Sequence, residues 1–113
     1  MAKAKATYEK LIPNLEFIEK LTKEQRKFFL LKAKLDCLKT FVNFIYSVNY
    51  HGIPLSPETV EKLKPFKEKI KKICTKKCSM KQRRQILISE DFFGKLLHAM
   101  IPELQEILLE NNN

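Results

Sequence analysis

Residues 34–49, KLDCLKTFVNFIYSVN, decide how this chain is expected to fold. Apolar side chains occupy most of a helical wheel drawn for this stretch, rather than one narrow stripe. A helix of that kind is surrounded by other helices, so we predict that it is the central one. The chain has 113 residues, enough for one modest hydrophobic core and too few for two. We therefore predict a single domain over residues 1–113, with a short flexible N-terminus at about residues 1–7 and a frayed end at 111–113.

An apolar stripe at helical spacing precedes the central stretch. We predict that this first helix effectively begins at Pro13, because proline is tolerated only in the first turn of a helix. A second helix is predicted to start at Thr22, since Gln25 three residues later completes the pattern of a capping box.

The residues that follow the central stretch contain a clear helix break. Residues 51–54, HGIP, combine a glycine suited to a helix end with a proline that cannot continue the helix. Ser56 is expected to cap the next helix, with Pro57 at its first position. Pro65 should kink or split that helix.

The C-terminal third also has helical periodicity. We predict a short helix over residues 79–87 and a last helix that Ser89 caps and Pro102 bends. No stretch alternates apolar and polar residues as a half-buried strand does. The predicted fold class is therefore all-α, a small orthogonal bundle of five or six helices.

Positive charge is concentrated in residues 62–84. This segment has eleven Lys or Arg residues and one acidic residue. Residues 1–61 have ten Lys or Arg residues and seven acidic ones, and residues 85–113 have one Lys and five acidic residues. We call its cationic residues the basic band: Lys62, Lys64, Lys67, Lys69, Lys71, Lys72, Lys76, Lys77, Lys81, Arg83 and Arg84. All of them except Lys67 are our candidate nucleic-acid contacts. The acidic residues 85–113 either pair with the band or leave it free, and the sequence leaves both arrangements open.

The basic band favours nucleic acid as the partner, with double-stranded DNA bound through its phosphates as the first expectation. Lysines supply point charges that release phosphate counterions, and Arg83 and Arg84 are suited to bidentate phosphate contacts. Nothing in the composition indicates reading of base edges, so binding is expected to be independent of sequence. An acidic protein, an anionic lipid or a merely solvated helix face are the alternatives.

A second hypothesis is based on the apolar stripe of the last predicted helix. An amphipathic helix of this kind docks on a core, on a second copy or on another protein. It does not suit a membrane surface, because its polar face carries mostly acids. The candidate partner-binding residues are Phe92, Phe93, Leu97, Ile101, Leu104 and Leu108. On this reading the protein is a helical interaction or oligomerisation module.

The aromatic residues are predicted to be core rather than platforms for bases. Stacking would require them to be exposed within the basic band, where only Phe66 lies. The residues considered were Phe28, Phe29, Phe41, Phe44, Tyr46, Phe66, Phe92 and Phe93.

Enzymatic and cofactor chemistry is not predicted. His98 has no nucleophile or carboxylate at a spacing that would build a catalytic pair, and no glycine-rich phosphate loop is present. Cys74 and Cys78 form one isolated pair, whereas structural zinc sites show two, so we expect neither a metal nor another cofactor. The lysines near these two thiols would lower their pKa if the thiols were exposed.

The same composition bears on localisation. No apolar run approaches the roughly 20 residues of a membrane span, and the N-terminus has no uninterrupted apolar segment like that of a secretory signal. Three cysteines, an odd number, favour a reducing compartment over a disulfide framework. The protein is expected in the nucleus or a virion, otherwise in the cytoplasm, and not as a secreted protein.

Three segments together carry a family resemblance: QRKFFLLK at 25–32, GIPLSP at 52–57 and KQRRQIL at 81–87. In this order and spacing they resemble a family of small basic proteins encoded by Polinton/Maverick DNA transposons and the related adintoviruses of animals. The resemblance spans about residues 22–87. It implies a viral or mobile-element origin and a DNA-associated, packaging or virion-core role. That family has a glycine-rich tail after its basic segment, whereas this chain has only Gly94 there.

Overall fold

The structure, a computed structural model, describes residues 2–50 and 55–111. Its helices are α1 (Ala2–Lys20), α2 (Lys23–Lys32), α3 (Leu35–Asn49), α4 (Pro57–Leu63), α5 (Lys67–Ile73), α6 (Met80–Ile88) and α7 (Phe92–Asn111). Short 3-10 turns join α4 to α5 and α6 to α7. The described residues include no strand, and the predicted all-α class is confirmed. The predicted break at residues 51–54 lies outside the described residues.

The first helix is longer than the sequence predicted. α1 begins at Ala2, so residues 2–7, which we expected to be flexible, are helical, and Pro13 lies inside the helix. Pro13 is exposed, while Ile12 and Leu15 beside it are buried against α7. A proline ring removes one backbone hydrogen bond, and burial of the apolar face that runs past it compensates for that loss.

The predicted helix starts around α2 and α4 are confirmed. The Thr22 hydroxyl accepts a hydrogen bond from the Gln25 amide at 3.1 Å, and the Gln25 side chain accepts one from the Thr22 amide at 3.0 Å. Ser56 caps α4 by accepting from the Thr59 amide. Pro65 lies in the 3-10 turn that separates α4 from α5, as expected of a proline that splits a helix.

The start of the last helix differs from the prediction. Ser89 does not cap α7, because its hydroxyl donates to the Ile86 carbonyl at the end of α6. The chain instead turns through Glu90 and Asp91, whose φ angles of 52° and 56° lie in the left-handed region. These two residues re-aim the chain so that α7 starts at Phe92, and α7 then continues through Pro102.

One hydrophobic cluster joins all the helices. α3 contributes six buried side chains to it, and α7 contributes seven, including Phe93, Leu96 and Leu97 with 0% exposure. α7 packs on α1, α4 and α6, and α6 packs on α2, α3, α5 and α7, whereas α3 packs mainly on α5 and α6. The prediction that residues 34–49 form the central helix is therefore wrong. The radius of gyration is 13.6 Å, close to the roughly 13 Å expected of a compact chain of this length. Among the described residues, every helix is too short or too polar to cross a bilayer.

Candidate nucleic-acid interface

Most lysines of the basic band lie on the surface. In α5, Ile70 and Ile73 face the core, which turns Lys67, Lys71 and Lys72 outward. The same exposure continues through the turn after α5 and into α6. The exposed lysines of the band are Lys62, Lys64, Lys67, Lys71, Lys72, Lys76, Lys77 and Lys81.

Few of these exposed lysines have a carboxylate partner. Among the described side chains, only Lys64 forms an ion pair, with Glu61 one turn earlier at 2.8 Å. Both side chains of this pair are exposed, and such pairs contribute little and exchange readily with other ions. The exposed lysines of the band are therefore almost uncompensated by carboxylates among the described residues.

Lys69 is an exception within the band. Its ammonium lies 3.8 Å from the Glu90 carboxylate, 3.5 Å from the Ser89 carbonyl oxygen and 5.8 Å from the centre of the Phe92 ring. Its side chain is only 33% exposed. Lys69 therefore helps to hold the turn between α6 and α7 and is less available to a phosphate than its neighbours.

Arg84 does not point outward as a phosphate ligand would. Its Nη1 donates to the carbonyl oxygens of Leu30, Leu31 and Ala33 at 2.7, 2.9 and 2.9 Å. These carbonyls are at the C-terminal end of α2, where the last turn of a helix leaves acceptors without partners. Arg84 is thus a cap that joins α6 to α2, and the prediction that it contacts phosphate has no support in this geometry.

Arg83 has the same role at a second helix end. Its Nε donates to the Ile73 carbonyl at 2.9 Å, and its Nη2 donates to the Thr75 carbonyl at 3.2 Å and to the Tyr46 hydroxyl at 3.1 Å. The first two acceptors belong to the end of α5 and the turn after it. Arg83 therefore fixes the segment that carries the lysines, and it is not free to bind phosphate.

Arg26, which sequence reasoning missed, completes the pattern at the end of α1. Its Nε and Nη2 donate to the carbonyls of Ile18, Glu19 and Leu21, and its Nη1 lies 2.7 Å from both carboxylate oxygens of Asp91. The side chains of this pair are only 7% and 19% exposed. All the arginines of the chain thus cap helix ends, and lysines make up its exposed cationic surface.

The acidic C-terminal segment leaves the exposed lysines free. Glu103 is buried and accepts a hydrogen bond from the backbone amide of Ser56. Asp91 is bound by Arg26 and Glu90 by Lys69. Glu106 is exposed and forms no ion pair within the described part of the chain. The described carboxylates of this segment therefore do not neutralise the surface that the other band lysines form.

The apolar stripe of α7 is core. Phe92, Phe93, Leu97, Ile101 and Leu104 are all buried by other helices of the same chain. The side chain of Leu108, the remaining candidate, lies outside the described residues. These five residues are not exposed to a partner while the chain keeps this fold, because α1, α4 and α6 pack on α7.

The condition under which lysines would lower the pKa of the cysteine thiols, exposure of the thiols, is not met. Cys74 and Cys78 are buried. Burial raises the pKa of the Cys74 thiol above its ordinary value, and nearby Arg83 offsets this only in part. The expectation that surrounding lysines lower the pKa applied to exposed thiols, and Cys74 is not exposed.

His98 lies on the surface of α7. Its Nδ1 is 3.1 Å from the Glu19 carboxylate of α1, which links the two helices. The sequence spacing around His98 showed no carboxylate partner, because Glu19 lies 79 positions earlier in the chain.

Two tyrosines, Tyr46, which was predicted to be core, and Tyr50, which the sequence analysis did not consider, form a pair that is linked to the band. The rings of Tyr46 and Tyr50 on α3 stack with centres 5.9 Å apart and planes 13° apart. Tyr46 contacts Arg83, and Tyr50 is exposed. The spacing of four residues on a helix was the available signal, but nothing in the sequence placed α3 beside the lysines.

Comparison of the chain with protein-family models, curated proteins and solved structures gave no match.

Proposed function

We propose that this protein is a non-enzymatic, sequence-independent nucleic-acid-binding protein that contacts phosphates through the exposed lysines of the basic band. The observation that carries the proposal is the separation of the two cation types: arginines are bound inside the fold, and lysines are exposed with almost no carboxylate partners. Unpaired surface lysines bind polyanions by releasing condensed counterions.

The surface favours phosphate contacts over reading of bases. Lysine ammoniums are point charges without the planar donor pair that recognises a guanine edge. The arginines that have this donor pair are engaged by carbonyls. Binding through phosphates alone does not distinguish one sequence from another.

The resemblance to Polinton and adintovirus proteins gives this activity a biological setting. In that setting the protein accompanies the DNA of a virus or mobile element in the nucleus or virion, as a packaging or core accessory. Double-stranded DNA is the expected ligand on that basis, although lysine–phosphate contacts suit either strand state.

Fluorescence anisotropy across a salt series tests the proposal. If about six phosphates are neutralised, the logarithm of the association constant for a DNA duplex should fall with log salt at a slope near −5. Affinity should not change among duplexes of different sequence. Absence of binding to duplex or single strand at about 50 mM salt, where the electrostatic contribution is large, would refute the proposal.

The interaction-module hypothesis is less well supported. Its candidate residues on α7 are buried, and no alternative apolar surface of α7 is formed by described side chains other than Leu109. We therefore treat nucleic acid as the proposed partner.

A further inference from the structure

Tyr50 is the most exposed aromatic ring near the basic band. Its side chain is 64% exposed, and it sits at the C-terminal end of α3. Among the described aromatic residues only Phe28, at 64%, and Phe17, at 57%, have comparable exposure. Tyr50 differs from both in being stacked on a second ring that contacts a residue of the basic band.

The ring of Tyr50 is held by a short chain of contacts. One of its faces stacks on Tyr46, whose hydroxyl accepts a hydrogen bond from Arg83. The Arg83 guanidinium carbon lies 5.9 Å from the centre of the Tyr46 ring, within the range of a cation–π contact. Because Arg83 is itself fixed by the end of α5, the two tyrosines form a supported stack rather than two independent side chains.

Two contacts link this stack to segments that carry lysines of the band. Asn49, the residue before Tyr50, shares a groove with Lys67 and Lys71. On the other side, the same Arg83 nitrogen donates to Tyr46 and to the Thr75 carbonyl, and Lys76 and Lys77 directly follow Thr75. Asn49 and Arg83 thus connect the tyrosine stack to α5 and to the turn after it, the segments that carry these lysines.

We propose that Tyr50 is a stacking platform for an unpaired base, and that the preferred ligand of this surface is single-stranded nucleic acid. A base and an aromatic ring stack without regard to base identity, which agrees with a surface that does not read sequence. In a duplex the bases are already stacked on one another and do not reach the ring. This inference rests on the proposed phosphate binding, and it replaces double-stranded DNA, the ligand expected from the family resemblance, with a single strand.

The test compares two ligands that differ only in their bases. One is a labelled oligothymidylate of about 15 nucleotides, near the upper end of common single-strand site sizes, and the other is an abasic oligomer with the same number of phosphates. Anisotropy titrations at about 50 mM salt give both dissociation constants for each protein variant. A duplex of the same length is the third ligand.

The variants are Tyr50→Ala, Tyr50→Phe and a matched control, Phe17→Ala. Phe17 is also exposed, at 57%, and shares a pocket with Asp36 and Thr40 near the start of α3. Given the rise of a helix, Asp36 lies about 20 Å along α3 from Tyr50. Circular dichroism confirms that each variant retains its helices.

We expect wild type to bind oligothymidylate at least about fivefold more tightly than the abasic oligomer, since base stacking on one aromatic ring gives a factor of this size or more. Tyr50→Ala should remove that preference and leave duplex binding unchanged. Tyr50→Phe and Phe17→Ala should keep it.

Two results would overturn the inference, and they separate it from the proposed function. If wild type binds all three ligands but Tyr50→Ala has the same preference as wild type, the platform is wrong and phosphate binding stands. If wild type binds none of the ligands, both proposals are wrong.

Discussion

At the scale of single residues, the chemistry of arginine and lysine explains where each is found. A guanidinium has five donors in a rigid plane and satisfies several carbonyls at once, as Arg84 does at the end of α2. A lysine has one ammonium on a flexible stem and remains hydrated at the surface while its stem covers apolar atoms. The fold thus uses its arginines for stability and keeps its lysines for solvent or for a ligand.

Arg84→Lys should destabilise the protein by about 2 kcal/mol or more, because one ammonium cannot replace a guanidinium among three partly buried carbonyls. Urea unfolding followed by circular dichroism measures the effect. Lys77→Ala, an exposed band residue, is the control and should change stability by no more than about 0.5 kcal/mol. Unchanged stability of Arg84→Lys together with weaker DNA binding would contradict the capping role.

Gly94 lies against the ion pair between Arg26 and Asp91. A Cβ atom at this position would come 2.6 Å from the Arg26 Cζ and from an Asp91 carboxylate oxygen. Gly94→Ala should therefore destabilise the fold by about 1–3 kcal/mol, although alanine is the better helix former by about 1 kcal/mol. Thermal or urea unfolding measures this, with exposed Lys95→Ala in the same helix as control. A stabilised Gly94→Ala would show that the pair has room to move.

At the scale of helices, local signals predicted what local contacts determine. Thr22 and Ser56 cap helices through residues three positions away, and Pro65 breaks a helix by its own ring, so short-range patterns suffice. Ser89 was misread because its hydroxyl bonds backward to Ile86. Pro13 was misread because packing on α7, which is distant in sequence, stabilises the helix through it.

The roles of the band residues were less predictable. Arg84 contacts carbonyls 51 to 54 positions earlier in the chain, and Arg26 contacts Asp91 65 positions later. No spacing rule reveals contacts at such separations. The charge count of residues 62–84 predicted that a cationic surface exists, and only tertiary structure shows which of its members are free.

The end of α5 gives a prediction about reactivity. Because burial raises the pKa of Cys74, this thiol holds less thiolate at a given pH than an exposed one. Iodoacetamide labelling read by peptide mass spectrometry should be slower at Cys74 in the native protein than in urea. The raised pKa also means that the neutral thiol's contribution to stability is complete at neutral pH and is lost as pH rises through the native pKa. Equal labelling rates in the native and the urea-unfolded protein at pH 7 to 8, about the range where a free thiol begins to ionise, would contradict the burial and the raised pKa of Cys74.

At the scale of the whole molecule, the single hydrophobic core buries the apolar side of α7. If α7 were an interaction module, polar replacements at Leu97 and Leu104 would break a complex and leave the monomer folded. Both side chains are fully buried, so Leu97→Ser should instead lower the free energy of unfolding by about 3–5 kcal/mol. Urea unfolding of the variant measures the change in stability, and light scattering of variant and wild type measures the oligomeric mass. Together they distinguish a core role of Leu97 from a role in an oligomer interface. A folded variant with reduced mass would restore the oligomerisation module.

The proposed function requires that the exposed lysines of the band form one free cationic surface. The most direct measurement compares the binding of one labelled DNA to two variants with equal net charge. The first changes Lys71, Lys72, Lys76 and Lys77 to glutamine, and the second changes Lys10, Lys20, Lys27 and Lys39, which are equally exposed but lie outside the band on α1, α2 and α3. At about 50 mM salt we predict at least about a hundredfold loss of affinity for the first and a loss below about tenfold for the second, with a reduced salt slope only for the first. Equal losses in the two variants would mean that only net charge matters, and would contradict a localised binding surface.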